Sequence, residues 1–142
     1  MKLRIFKETP ARLPAARIKR LFDEFTTRKA RRSVRGTVNL VITDDKNIRR
    51  LNRKFRRKDK ATDVLSFNLD NPEDDDSVFG EIYISAETAR RQATEYETTL
   101  SEEYLRLFCH GLLHLFGFDH VKKTDEKIMK AIENQYLESV GR

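Results

Sequence analysis

His110, His114 and His120 are the only histidines in a chain of 142 residues, and all three fall in one run, His110-Gly111-Leu112-Leu113-His114-Leu115-Phe116-Gly117-Phe118-Asp119-His120. Residues four apart on a helix share a face, with Cβ atoms about 5–6 Å from each other, so His110 and His114 can present their rings to one point. Gly117 offers the left-handed residue that turns a chain back off a helix C-terminus, which would swing His120 toward the same point. Three neutral imidazoles converging on one point form a metal site, and three protein ligands leave a fourth position for water, as in catalytic rather than structural centres. A lone histidine is more often a satisfied core or surface residue. Here the rings are set among Leu107, Phe108, Leu112, Leu113, Leu115, Phe116 and Phe118, where unpartnered imidazoles are costly. One cation would satisfy all three. Zinc is the expected cofactor, as a single ion, although a three-histidine set also suits other divalent metals.

Zinc in such a site brings the pKa of its water to about 7 and can polarise a carbonyl or phosphoryl oxygen. Hydrolysis is therefore expected before any particular substrate. The spacing His-x3-His-x2-Gly-x2-His copies an extended zinc-peptidase pattern, in which a glutamate general base follows the first histidine. Here that position is Gly111. Peptide hydrolysis must deliver a proton to a poor amine leaving group, so the absent glutamate argues against a peptidase. Asp119 has three readings, ranked in this order: an acceptor that orients a ligating imidazole, a base, or a cap for the turn.

Lysine and arginine number 29 against 23 acids, a formal charge of +6. The excess is clustered in Arg28–Arg35 and in Arg49–Lys60, where Asp59 is the single acid, and the sign reverses between Glu73 and Asp76. Clustered Lys and Arg are the electrostatic footprint of a nucleic-acid partner, but a solvated helix face has the same composition, and charge alone does not choose. Cys109 is the only cysteine; it can form no internal disulfide, which fits a reducing compartment. It points about 100° away from its neighbour His110 on a helix, so core packing is expected of it. No run reaches the eighteen-odd apolar residues of a membrane span, and Met1 to Glu8 lacks an apolar signal core. The expectation is a cytoplasmic protein with no membrane contact. Its oligomeric state leaves no mark in the residues.

Residues 1–142 are expected to form one domain. Leu3 and Ile5 alternate with basic neighbours as a half-buried strand does, and Pro14 precedes Ile18, Leu21, Phe22 and Phe25 at helical spacing, as a first-turn proline would. Gly36–Ile42 reads as a strand ending at the N-cap signal Thr43-Asp44-Asp45, followed by a short helix with a basic outer face. Val64–Phe67 and Gly80–Ile84 read as further strands, joined by an acidic loop containing Pro72. Ser85 caps a helix reaching about Tyr96, and Thr99-x-x-Glu102 has capping-box form at the start of the histidine helix. Leu105, Phe108, Leu112 and Leu115 line one side of that helix. A last helix, from Thr124 or Asp125 to about Val140, packs through Ile128, Met129, Ile132, Tyr136 and Leu137. The expected fold is α+β, with one mixed sheet of about four strands flanked by helices and a zincin-like metal helix.

The run His-Gly-x-Leu-His-Leu-x-Gly-x-Asp-His resembles the signature of the YbeY family of metal-dependent endoribonucleases. Phe55-Arg56-Arg57-Lys58-Asp59-Lys60-Ala61-Thr62-Asp63-Val64-Leu65-Ser66-Phe67 is similar to that family's Tyr-Arg-x-Lys-Asp-Lys-Pro-Thr-Asp-Val-Leu-Ser-Phe element, and Gly80-Glu81-Ile82-Tyr83-Ile84-Ser85 to its Gly-Asp-Ile-x-Ile strand. Phe55 and Phe118 stand where tyrosine is common, and Ala61 where proline is usual. The resemblance covers essentially the whole chain. It implies that His110, His114 and His120 ligate zinc, that Arg56 matters for ribonuclease activity, and that the work is maturation of the small-subunit ribosomal RNA 3′ end and ribosome quality control. Single-stranded RNA and the small ribosomal subunit are the implied partners. Arg56 also has a physical rationale, since phosphodiester cleavage builds charge on non-bridging oxygens that a guanidinium fork can grip in pairs. Phe55 and Phe67 could stack bases, but core packing is the expectation for both. Two other readings are a ribosome-associated factor with a structural metal, and a hydrolase of the same site acting on a non-RNA substrate.

Overall fold

The computed structural model describes residues 1–28, 34–69, 76–118 and 123–139. In chain order these form β1 (Lys2–Lys7), α1 (Ala15–Thr27), β2 (Thr37–Thr43), α2 (Asp45–Arg56), β3 (Val64–Asn68), β4 (Val78–Ser85), α3 (Ala86–Glu95), α4 (Leu100–Leu115) and α5 (Lys123–Ser139). The strands make one sheet in the order β1-β2-β4-β3. β1, β2 and β4 run parallel, while β3 returns antiparallel along the outer edge of β4. Parallel neighbours need long crossovers, which α1 supplies between β1 and β2, and α2 with β3 between β2 and β4. The result is the expected α+β fold with a mixed four-stranded sheet.

The caps are chemical. The side chains of Asp44, Ser85 and Thr99 accept from the backbone N–H groups of Asn47, Thr88 and Glu102, satisfying orphan donors at the starts of α2, α3 and α4. Pro14 sits just ahead of α1, at its N-cap position, rather than inside the first turn. Its carbonyl accepts the Ile18 N–H at 2.9 Å.

One face of the sheet (Val38, Leu40, Ile42, Ile82, Ile84) joins Ile18, Leu21, Phe22 and Phe25 of α1 and the apolar residues of α4 in the main core. The other face carries a smaller cluster of Ile48, Leu51 and Leu65 under α2, edged by Phe67 and Tyr83. The apolar stripe expected on one side of α4 is too narrow a description. Leu107, Cys109 and Leu113 are as buried as Leu105, Phe108, Leu112 and Leu115, because α4 is the central helix, touching α1, α3, α5, β3 and β4. A helix apolar nearly all round is a buried helix. In α5, Met129, Tyr136 and Leu137 are buried and Ile132 partly so; the side chain of Ile128 lies outside the described residues. No helix among the described residues is long and apolar enough to cross a membrane.

Candidate active site

Helix α4 is seated on the sheet edge by two glycines and two strand side chains. A Cβ on Gly111 would lie 2.7 Å from Ile82 Cγ2 and 3.2 Å from Ser66 Oγ; one on Gly80 would lie 2.7 Å from Leu115 Cδ2. A side chain at either position would force Ile82 or Leu115 to shift before α4 could approach β3 and β4 this closely. Ser66 Oγ then donates to the Gly111 carbonyl at 2.9 Å, and Asn68 Nδ2 to the Leu115 carbonyl at 2.8 Å. These two residues stand on the same side of β3, two apart, and reach one turn of α4 each. The pattern explains Gly111: it faces the sheet, so no glutamate could occupy this position.

The C-terminus of α4 turns as expected. Gly117 has φ of 94°; its N–H donates to the His114 carbonyl at 3.1 Å and the Phe118 N–H to the Leu113 carbonyl at 3.1 Å. This crossed pair of bonds is a Schellman stop.

His110 and His114 come together as their spacing requires, with Nε2 atoms 3.0 Å apart and rings at 72° to each other. On its other side His110 Nδ1 lies 3.0 Å from Glu133 Oε1 of α5. A carboxylate accepts, so Nδ1 carries the proton and the Nε2 lone pair turns toward His114. That is the tautomer a metal-ligating histidine needs, fixed by the partner such ligands commonly have. Two nitrogens bound to one zinc ion at about 2.0–2.1 Å each must lie within about 4 Å of each other, and this pair does. The donor set therefore fits the ion. Among the described residues no third His, Cys, Asp or Glu completes the group. His120 and Asp119 lie outside the described residues, as does most of the basic run Arg28–Arg35.

Glu133 is the site residue that sequence reasoning missed. It stands four residues after Met129 and three before Tyr136, both buried, so it is an acid inside the packing stripe of α5, and that oddity was its one signal. Cys109 is buried, and burial, helped by Glu133, pushes its thiol far above the ordinary range. It packs as expected and offers no ligand.

Arg56, Lys58, Lys60 and Asn52 line the same cleft as the two histidines, about 770 Å³ in volume. Arg56 ends α2; its Nη2 donates to the Ser66 carbonyl at 2.6 Å and its guanidinium lies 5.4 Å from the Phe67 ring centroid. Ser66 thus links Arg56, through its carbonyl, to the histidine helix, through its hydroxyl. The loop behind is fastened by Asn52, whose Nδ2 donates to the Lys60 carbonyl at 2.9 Å, and by Asp63. Asp63 accepts from the Val64 N–H at 2.8 Å and from Gln92 at 3.3 Å. Gln92 meets Arg106, which forms a two-pronged pair with the buried Glu103. Phe55 departs from expectation. It is 57% exposed rather than in the core, because it sits on the last turn of α2 beside Phe67, which is itself only partly buried at the edge of the smaller cluster.

These features define a small α+β protein with one mixed sheet, a buried helix carrying a convergent histidine pair, and basic side chains lining the same cleft. A family model described as endoribonuclease YbeY matches residues 5–141. Relatives bearing that name include those of Heliobacterium modesticaldum, 43% identical over 73% of this chain and 69% of that one, and Aquifex aeolicus, 42% identical over 74% and 71%. The Myxococcus xanthus relative is 49% identical over 73% of this chain, which spans only 36% of that protein's length. The solution structure of TM1509 from Thermotoga maritima superposes with a TM-score of 0.64 at 31% identity, covering 97% of this chain and 88% of that one. The chain belongs to the YbeY family.

Proposed function

We propose that the protein is a zinc-dependent endoribonuclease that cuts single-stranded RNA, acting in the cytoplasm on the 3′ end of small-subunit ribosomal RNA and in ribosome quality control, with the small subunit as its partner. The observation that carries this reading is that one cleft is lined both by His110 and His114, with their Nε2 atoms paired, and by the cations Arg56, Lys58 and Lys60. The names of the relatives supply the substrate class.

His110, His114 and His120 are the residues that would hold zinc, which would supply Lewis acidity and activate water near neutral pH. The chain's own groups do the rest. Glu133 keeps the His110 proton on Nδ1, so Nε2 faces the cleft. Arg56 spends one of its five N–H donors on the Ser66 carbonyl, which aims the fork, and the remaining donors can meet non-bridging oxygens as charge builds there. Lys58 and Lys60 attract the phosphate backbone along the wall. The position after His110, where a zinc peptidase carries its glutamate base, is Gly111, and a side chain there would run into Ile82, which favours a phosphodiester over a peptide.

Purified protein incubated with single-stranded RNA should cut it, and Arg56→Ala should slow cutting by at least about 100-fold, the scale of losing one oxyanion donor, with zinc content unchanged. Arg56→Lys should recover only part of the rate, because an ammonium is not a fork. Wild-type rates from Arg56→Ala would remove Arg56 from the chemistry, and digestion of a peptide library instead of RNA would replace the substrate class.

A further inference from the structure

A second groove, about 600 Å³ in volume, lies on the far side of Arg56 and Ser66, which line both it and the histidine cleft. Its walls carry three aromatic rings in series. Phe55 meets Phe67 edge to face at 5.4 Å, and Phe67 meets Tyr83 at 5.9 Å and 75°. Phe55 at 57% and Leu69 at 43% are among the few large apolar side chains left exposed, and both stand in this groove. Cations frame the rings: Lys54 Nζ lies 5.2 Å from the Phe55 centroid and Arg56 5.4 Å from that of Phe67. Glu81, also in the groove lining, accepts from the Tyr83 hydroxyl at 3.3 Å and from Asn39 at 3.5 Å. Burial, and then the charge of Glu81, push the Tyr83 hydroxyl up to about 12, so it stays a neutral donor.

We infer that this groove is a base-stacking subsite for the single-stranded RNA whose backbone crosses Arg56, with bases seated against Phe55 and Phe67. The inference rests on the RNA reading of the neighbouring cleft and adds where the strand goes next. Exposed aromatic rings interleaved with cations are the platform that non-sequence-specific single-strand binders use. The rim is basic, so a polyanion is attracted. The Glu81 carboxylate repels a phosphate but can accept from the N–H edge of a base, so bases turn toward Glu81 and the rings while phosphates stay with Arg50, Lys54 and Arg56. Continuity through Arg56 places the two grooves along one strand.

The test is equilibrium binding of the full chain, by fluorescence anisotropy, to a labelled 2′-O-methyl RNA strand that resists cleavage, and to a ribose-phosphate strand of the same length without bases. Wild type should prefer the base-bearing strand by about 5-fold or more, the lower end for one stacked base. Phe55→Ala should lose that preference while binding the baseless strand as wild type does, and Phe55→Tyr should retain it. Equal wild-type affinity for the two strands overturns the subsite without reference to any variant. So does Phe55→Ala binding that is unchanged, or that falls equally on both strands, leaving the nuclease reading intact. Wild type that binds neither strand overturns the RNA reading itself, and this subsite with it.

Discussion

His110 illustrates how a single atom's protonation is decided by a residue far away in sequence. The histidines announce themselves by type and spacing, because a four-residue step is a property of any helix. Glu133 does not, since only the packing of α5 on α4 carries it to His110 Nδ1 at 3.0 Å. Removing the acceptor in Glu133→Ala should weaken zinc binding by about 10- to 100-fold, the usual cost of losing a ligand's hydrogen-bond partner. Glu133→Gln, whose carbonyl oxygen can still accept, should lose less. Competition against a chromophoric chelator measures both, and wild-type affinity in Glu133→Ala would show that the contact does not tune the ring.

At the level of elements, the question is how α4 is held against the sheet edge. Gly111 in the bare sequence reads as a missing catalytic base; in the fold it is a packing requirement, with Ile82 where any side chain would begin. Gly111→Ala should cost about 1–3 kcal/mol of stability, the price of overpacking, read as a lower denaturant midpoint at unchanged slope. An unchanged midpoint would mean that Ile82 moves aside freely. Element identities were legible throughout, because Asp44, Ser85 and Thr99 are chemical start signals, β2 and β4 are rich in β-branched residues, and β1 alternates apolar with basic ones. Ser66 and Asn68 were not legible as helix anchors, since polar residues in a strand look like a solvent face. Phe55 misled for the converse reason: an aromatic ring at helical spacing suggests a core, and nothing local reveals that the core ends beneath it.

Across the whole molecule, pairing order was the part hidden from the sequence: four strands are visible, but the order β1-β2-β4-β3 depends on contacts no local pattern records. The joints between layers are polar and pH-sensitive. Asp45 of α2 accepts from Ser85, Thr88 and Arg91 at the end of β4 and the start of α3. Burial pushes its carboxyl up, but those hydrogen bonds and the Arg91 charge outweigh it, so its pKa falls below the usual value. A depressed carboxylate stabilises the fold fully above its unfolded pKa, about 4. That contribution fades as pH falls through the lower folded value. Denaturant midpoints measured from pH 7 downward should drop below about pH 4, with a shallower drop in Asp45→Asn; identical acid limbs would remove Asp45 from the account. On the proposed function, one zinc ion held by His110, His114 and His120 is what makes this fold a nuclease. Native mass spectrometry and an RNA cleavage assay on the same preparations of wild type and His114→Ala test it most directly. One zinc per wild-type chain, with zinc and cleavage lost together in a folded His114→Ala, is the expected result. Undiminished RNA cleavage by zinc-free His114→Ala would contradict it.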